Sequence, residues 1–91
     1  MAKPWEKYHQ VIIETYYEVK SGKSTNVHAR PIEGQIYTTD LDVECSRKMR
    51  QRHPIGTQFK VYAKLTDREG GGEFLYTSWR WPYEVVSEPA S

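Results

Sequence analysis

The hydrophobic positions are most regular between residues 57 and 81. Phe59, Val61, Ala63 and Leu65 alternate with Gln58, Lys60, Tyr62, Lys64 and Thr66. That is the period of a strand buried on one face. Gly70, Gly71 and Gly72 follow, and glycine takes positive φ without steric cost, so they mark a turn. The next arm, Phe74 to Trp81, is rich in aromatics and Thr, as strands are. The two arms predict a β-hairpin. Its register decides which side chains a partner meets, because a slip of one residue exchanges the faces. With Leu65 opposite Leu75, Val61 faces Trp79 and Phe59 faces Trp81, all inward. Burying a large apolar side chain is worth ~1.5–3 kcal/mol, which favours this register. The outer face is then Lys60, Tyr62, Lys64, Tyr76 and Arg80. A loop one residue shorter turns Leu75, Trp79 and Trp81 outward; both registers keep Lys60, Tyr62 and Lys64 together.

Earlier in the chain, Tyr8 to Val19 is dense in β-branched and aromatic residues. Val11, Ile13, Tyr17 and Val19 share one face of a strand, with Ile12 and Tyr16 on the other. A helix would collect Tyr8, Ile12, Tyr16 and Val19, but the β-branched content favours a long strand. Ser21-Gly22 suits a two-residue hairpin loop. A second strand is expected from about Ser24 to Arg30, with Pro31 stopping it or confining it to an edge. A third apolar run covers Gln35 to Thr38 and extends through Leu41, Val43 and Cys45. Ser46 then serves as N-cap and Pro54 as stop for a short helix over residues 47–52. A longer version starting at Asp40 also agrees with the helix macrodipole. Pro82 breaks or bulges the last strand, and Tyr83, Val85 and Val86 continue it. Residues 1–6 and 87–91 are expected to be loosely held ends.

The expected fold is one mainly β domain with a single short helix, in the order β-β-β-α-β-β. This order resembles the OB-fold, a five-stranded barrel; the resemblance is one of topology, since no sequence motif points to a family. An SH3-like barrel, or an open sheet packed on one helix, uses the same elements. The chain has 91 residues, so its core is thin. Its single cysteine, Cys45, allows no internal disulfide and fits a reducing compartment. With no apolar run of membrane-spanning length and no signal-peptide core, a soluble cytoplasmic protein without a membrane partner is expected.

Charge sharpens the picture through its distribution. Residues 45–64 carry Arg47, Lys48, Arg50, Arg52, Lys60 and Lys64 and no acid, whereas both flanking segments are net negative. Basic residues interleaved with aromatics suit single-stranded DNA or RNA, where phosphate contacts give salt-dependent affinity and rings stack on bases. The expected nucleic-acid contacts are Lys60, Tyr62, Lys64, Tyr76 and Arg80 on the hairpin, Arg68 in its loop, and Arg47, Arg50 and Arg52 on the helix. The plain alternative is that Lys and Tyr line an ordinary solvated strand face, and that the helical arginines pair with acids of residues 33–44. Exposed aromatics serve protein interfaces equally well. The second expectation is therefore an assembly module that binds another protein or itself, with an edge strand near Pro31.

Catalytic signals are weak. Gly22-Lys23-Ser24 resembles the end of a phosphate-binding loop, but Tyr17 stands where that motif needs glycine. On a strand, Asp40, Asp42 and Glu44 would share one face and suit a hard cation such as Mg²⁺; a solvated acidic face explains them as well. Glu18-Val-Lys20 resembles half of a metal-dependent nuclease site without its upstream Asp. Cys45, His9, His28 and His53 lack the tight local pairs of zinc ligands, and nothing local supports Cys45 as a nucleophile. No catalytic residue, metal or cofactor is assigned, and the chain is read as a noncatalytic binding module.

Overall fold

The structure is a computed structural model that describes residues 8–19, 26–68, 72–78 and 80–89. The Ser21-Gly22 turn, the Gly22-Lys23-Ser24 motif, Lys20 of the Glu18-Val-Lys20 pair, residues 69–71 of the glycine loop, Trp5, Trp79 and the side chain of Arg68 lie outside them. The elements in order are β1 (His9–Tyr17), β2 (Val27–Pro31), β3 (Val43–Glu44), α1 (Arg47–Arg52), β4 (Gln58–Arg68), β5 (Gly72–Tyr76) and β6 (Tyr83–Ser87). The protein is mainly β with one short helix.

β4 organises the sheet, whose order is β2-β1-β4-β5-β3, with β6 also pairing β4. β1 runs antiparallel to its first half, placing Val11 opposite Val61 and Ile13 opposite Phe59. β5 returns along its second half with Leu65 opposite Leu75, the preferred register. Gly72, at φ 83°, starts that return in a conformation that side chains with a Cβ rarely adopt. The β-branched run at residues 9–17 is a strand, as its composition favoured.

Three expectations need correction. The second hairpin arm does not run to Trp81. β5 ends at Tyr76, the described residues 77, 78 and 80–82 lie outside the β4 ladder, and β6 resumes against the first half of β4 with Tyr83 opposite Val61 and Val85 opposite Phe59. Trp81 therefore does not face Phe59. Pro82 has no N–H to donate, and its fixed φ takes the chain out of register before it. The third strand is two residues long rather than reaching from Gln35, because residues 35–42 form turns and irregular chain. The strand count is six rather than five, and the sheet is not closed: β2 and β3 approach each other, but no ladder joins them among the described residues.

The core lies on the inner side of this curled sheet. It comprises Val11, Ile13, Ala29, Val43, Met49, Phe59, Val61, Ala63 and Leu75, with Tyr37, Leu41 and Cys45 packed against it. Met49 places α1 on that inner side. Ser46 caps the helix, its Oγ accepting from Met49 N at 3.4 Å. Two of the buried hydroxyls find partners close by: Gly56 N donates to Thr15 Oγ1 at 3.1 Å, and Thr57 Oγ1 donates to Pro54 O at 2.6 Å. Gly56 makes this turn at φ 98°, again a glycine conformation. Beyond Pro31, the Gln35 side chain substitutes for the missing strand, with Oε1 accepting from Ile12 N and Nε2 donating to Ile12 O, both at 2.7 Å.

Candidate nucleic-acid interface

Lys60, Tyr62 and Lys64 alternate with the buried Phe59, Val61 and Ala63, so they stand on the outer face of β4. Tyr76 lies directly opposite Lys64 and shares that face. The structure thus brings Lys60, Tyr62, Lys64 and Tyr76 together. Two aromatic residues join them. Tyr8 lies under the Lys64 ammonium, with Nζ 5.9 Å from the ring centroid, within cation–π reach. Trp81 stacks on Tyr8 at 5.0 Å and meets Tyr76 edge-on at 5.8 Å. The result is a cluster of Tyr8, Tyr76 and Trp81 around Lys64.

Neither Tyr8 nor Trp81 was among the expected contacts. Tyr8 has the same phase as Ile12 and Tyr16, the outer residues of β1, so its face was legible. The inward place of Trp81 assumes an unbroken strand, whereas β5 ends at Tyr76; Pro82 was the signal that the strand is interrupted before Tyr83.

The other end of the face carries an acid of its own. Glu84 of β6 lies opposite Lys60. A shallow depression of about 190 Å³ there is lined by Gln10, Lys60, Tyr62, Pro82, Tyr83 and Glu84. Further across, Glu14 accepts from Gln58 Nε2 at 3.1 Å, and the Arg30 guanidinium lies 4.6 Å over the Tyr16 ring. At the Lys64 end the ammonium stands among Tyr8, Trp81 and the exposed Tyr76, with Glu44 of β3 in register beside Tyr76.

The helical arginines do not join this face. α1 packs on the inner side, so the sheet separates Arg47, Arg50 and Arg52 from Lys60 and Lys64. Arg50 is also turned inward: Nη1 donates to Val27 O at 2.9 Å, tying α1 to β2, and Nε is buried without a hydrogen-bond partner. Arg80 sits in the turn between β5 and β6 rather than on a strand.

The residues considered for other chemistry are dispersed. His28 Nε2 lies 2.8 Å from Glu18 O, His9 meets Tyr37 edge-on, and His53 lies 3.4 Å from a Glu88 oxygen. Among the described residues no three His, Cys, Asp or Glu side chains are grouped to hold a metal ion. The strand that would align Asp40, Asp42 and Glu44 is only Val43–Glu44, and Asp40 accepts from Thr38 Oγ1 in a turn. Burial raises the Cys45 thiol to about 11, against a smaller opposing pull from Arg50. It is thus protonated at neutral pH and a poor nucleophile. Among the described residues no helix is long and apolar enough to cross a membrane.

Comparison with known proteins finds no relative: no family model, curated protein or solved structure matches the chain.

Proposed function

We propose that this protein is a noncatalytic module that binds single-stranded nucleic acid across the outer face of the β4–β5 hairpin. The observation that supports it is the clustering of Tyr8, Tyr76 and Trp81 around Lys64, with Tyr62 and Lys60 continuing the strip along β4. Bases would stack on the rings, each for ~1–3 kcal/mol, and phosphates would lie along the lysines. In this reading the curled sheet is a variant of a small OB-like or SH3-like barrel whose edge strands approach without pairing, and the protein works in the cytoplasm.

Two lysines bound the electrostatics. Neutralising about two phosphates of a single strand gives a salt slope of about −1.4, or roughly a seven-fold loss of affinity between 50 and 200 mM salt. Fluorescence anisotropy with a labelled oligonucleotide tests this. Lys60→Ala with Tyr62→Ala, or Lys64→Ala with Tyr76→Ala, is expected to weaken binding at least ten-fold. Unchanged affinity in both pairs would sink the proposal.

One observation favours a second reading, an assembly module. Every residue of β6 is exposed, including Tyr83, Val85 and Val86, and among the described residues β6 pairs with β4 alone. An uncovered apolar edge is a template for strand pairing with another chain. Sedimentation at rising concentration decides it: salt-insensitive association abolished by Val86→Lys is the expected result, and a monomer throughout rejects it.

A further inference from the structure

Among the described residues, three cavities are lined by a carboxylate: Glu14 and Glu33 in one, Glu84 in the second, Glu44 in the third. Another carries none. It is a crevice of about 170 Å³ between α1 and the chain segment that joins β5 to β6. Lys48 and Arg52 of the helix stand on one side, with Thr77, Ser78, Trp81 and Tyr83 on the other. Its floor is apolar, from Met49 and Val61 of the core. Both cations project from exposed helix positions, and among the described residues neither has an ion-pair partner.

These features select a ligand. Two cations in a lining that holds no carboxylate favour an anion; Arg also presents a planar donor fork suited to phosphate. The hydroxyls of Thr77 and Ser78 both donate and accept, so they suit the polar edge of a base or sugar. The apolar floor and the aromatic residues Trp81 and Tyr83 favour a flat ring. The volume is below the roughly 300–1,000 Å³ of clefts that enclose drug-sized molecules, so it suits one ring with its phosphate rather than a longer ligand.

We infer that the crevice between α1 and Thr77, Ser78, Trp81 and Tyr83 binds a phosphorylated nucleoside, with Lys48 and Arg52 holding the phosphate and Tyr83 and Trp81 flanking the base. The ligand comes either as a free mononucleotide or as the 5′-phosphorylated end of a strand. The inference stands apart from the outer-face reading, because the two cations lie on the opposite side of the sheet from Lys60 and Lys64. Trp81, which also stacks on Tyr8, and Tyr83, which also lines the depression beside Lys60 and Tyr62, belong to both surfaces.

Isothermal titration of the full chain tests it with two matched pairs of probes: adenosine monophosphate against adenosine, and a 5′-phosphorylated hexathymidylate against its 5′-hydroxyl form. In at least one pair the phosphorylated member is expected to bind ten-fold tighter or more. Lys48→Gln with Arg52→Gln is expected to erase that difference while the circular dichroism spectrum is unchanged, since both side chains are exposed. A difference in the mononucleotide pair identifies the free nucleotide as the source; a difference confined to the oligonucleotide pair identifies the strand end. No discrimination in either pair, or discrimination that survives the double substitution, overturns the inference. Lys60→Ala with Tyr62→Ala separates the two proposals. It should leave the phosphate difference intact, whatever it does to the unphosphorylated oligonucleotide.

Discussion

The two halves of β4 carry the same alternating pattern and reach different ends. In the first half, Phe59, Val61 and Ala63 are buried, with β1 and β6 as neighbours and Met49 of the helix in the same core. In the second half, Leu65 continues the apolar phase yet is 40% exposed, while its cross-strand partner Leu75 is fully buried. The difference lies in the neighbours. β1 starts at His9, opposite Ala63, and its ladder ends there. Leu75 has β3 beside it, with Val43 in register. Alternation therefore tells which way a side chain points. It does not tell whether anything lies there to cover it.

The strongest way to break this comparison is truncation on each side of it. Phe59→Ala is expected to cost about 3–5 kcal/mol, against under about 1 kcal/mol for Leu65→Ala. Urea denaturation measures both. Small domains have only about 5–15 kcal/mol in total, so Phe59→Ala should bring the protein close to unfolding at room temperature. Equal costs would show that Leu65 is buried in solution and that the two halves do not differ.

Next in size is a pH effect at the other end of the same core. The Cys45 thiol is raised by burial from 9.0 to about 11 in the folded state. Below pH 9 both folded and unfolded chains keep the proton, so the stability is fully present. Between pH 9 and 11 the unfolded thiol ionises first, and stability falls by an amount on the order of 2 kcal/mol. Cys45→Ala should remove this part of the alkaline decline while leaving the part due to tyrosines. Identical pH profiles for the two proteins would place Cys45 outside the dry region.

A smaller effect sharpens the account of how the first half is supported. Gln35 bonds both backbone groups of Ile12 on β1, the strand that covers Val61 and Phe59. Gln35→Ala leaves Ile12 N without its partner, while Ile12 O keeps the bond from Ile32 N, and is expected to cost about 1–2 kcal/mol. Hydrogen exchange at the Ile12 amide should accelerate more than at Leu75, and no acceleration would argue against the tie.

Much of the fold was legible locally. The β-branched content of residues 9–17 favoured the strand it forms, Ser46 and Pro54 bounded the helix at Arg47–Arg52, and burial favoured Leu65 opposite Leu75. The site was legible in part. Lys60, Tyr62, Lys64 and Tyr76 share a face because strand alternation is a local rule. The face of Tyr8 follows from its phase in β1, but its place beside Lys64, like that of Trp81, depends on pairings with distant residues. The arginines of α1 were grouped with the hairpin by closeness in sequence, yet the sheet separates them.

The order of residues alone set the faces of each strand, the helix with its cap, and the glycine return of the hairpin, since each depends on backbone geometry over a few neighbouring positions. The three-dimensional arrangement decided which apolar side chains are covered, that β5 ends at Tyr76, and that the two edge strands meet without pairing. Those outcomes depend on what lies across a gap from each residue. Such neighbours come from distant parts of the chain, and no local period encodes them.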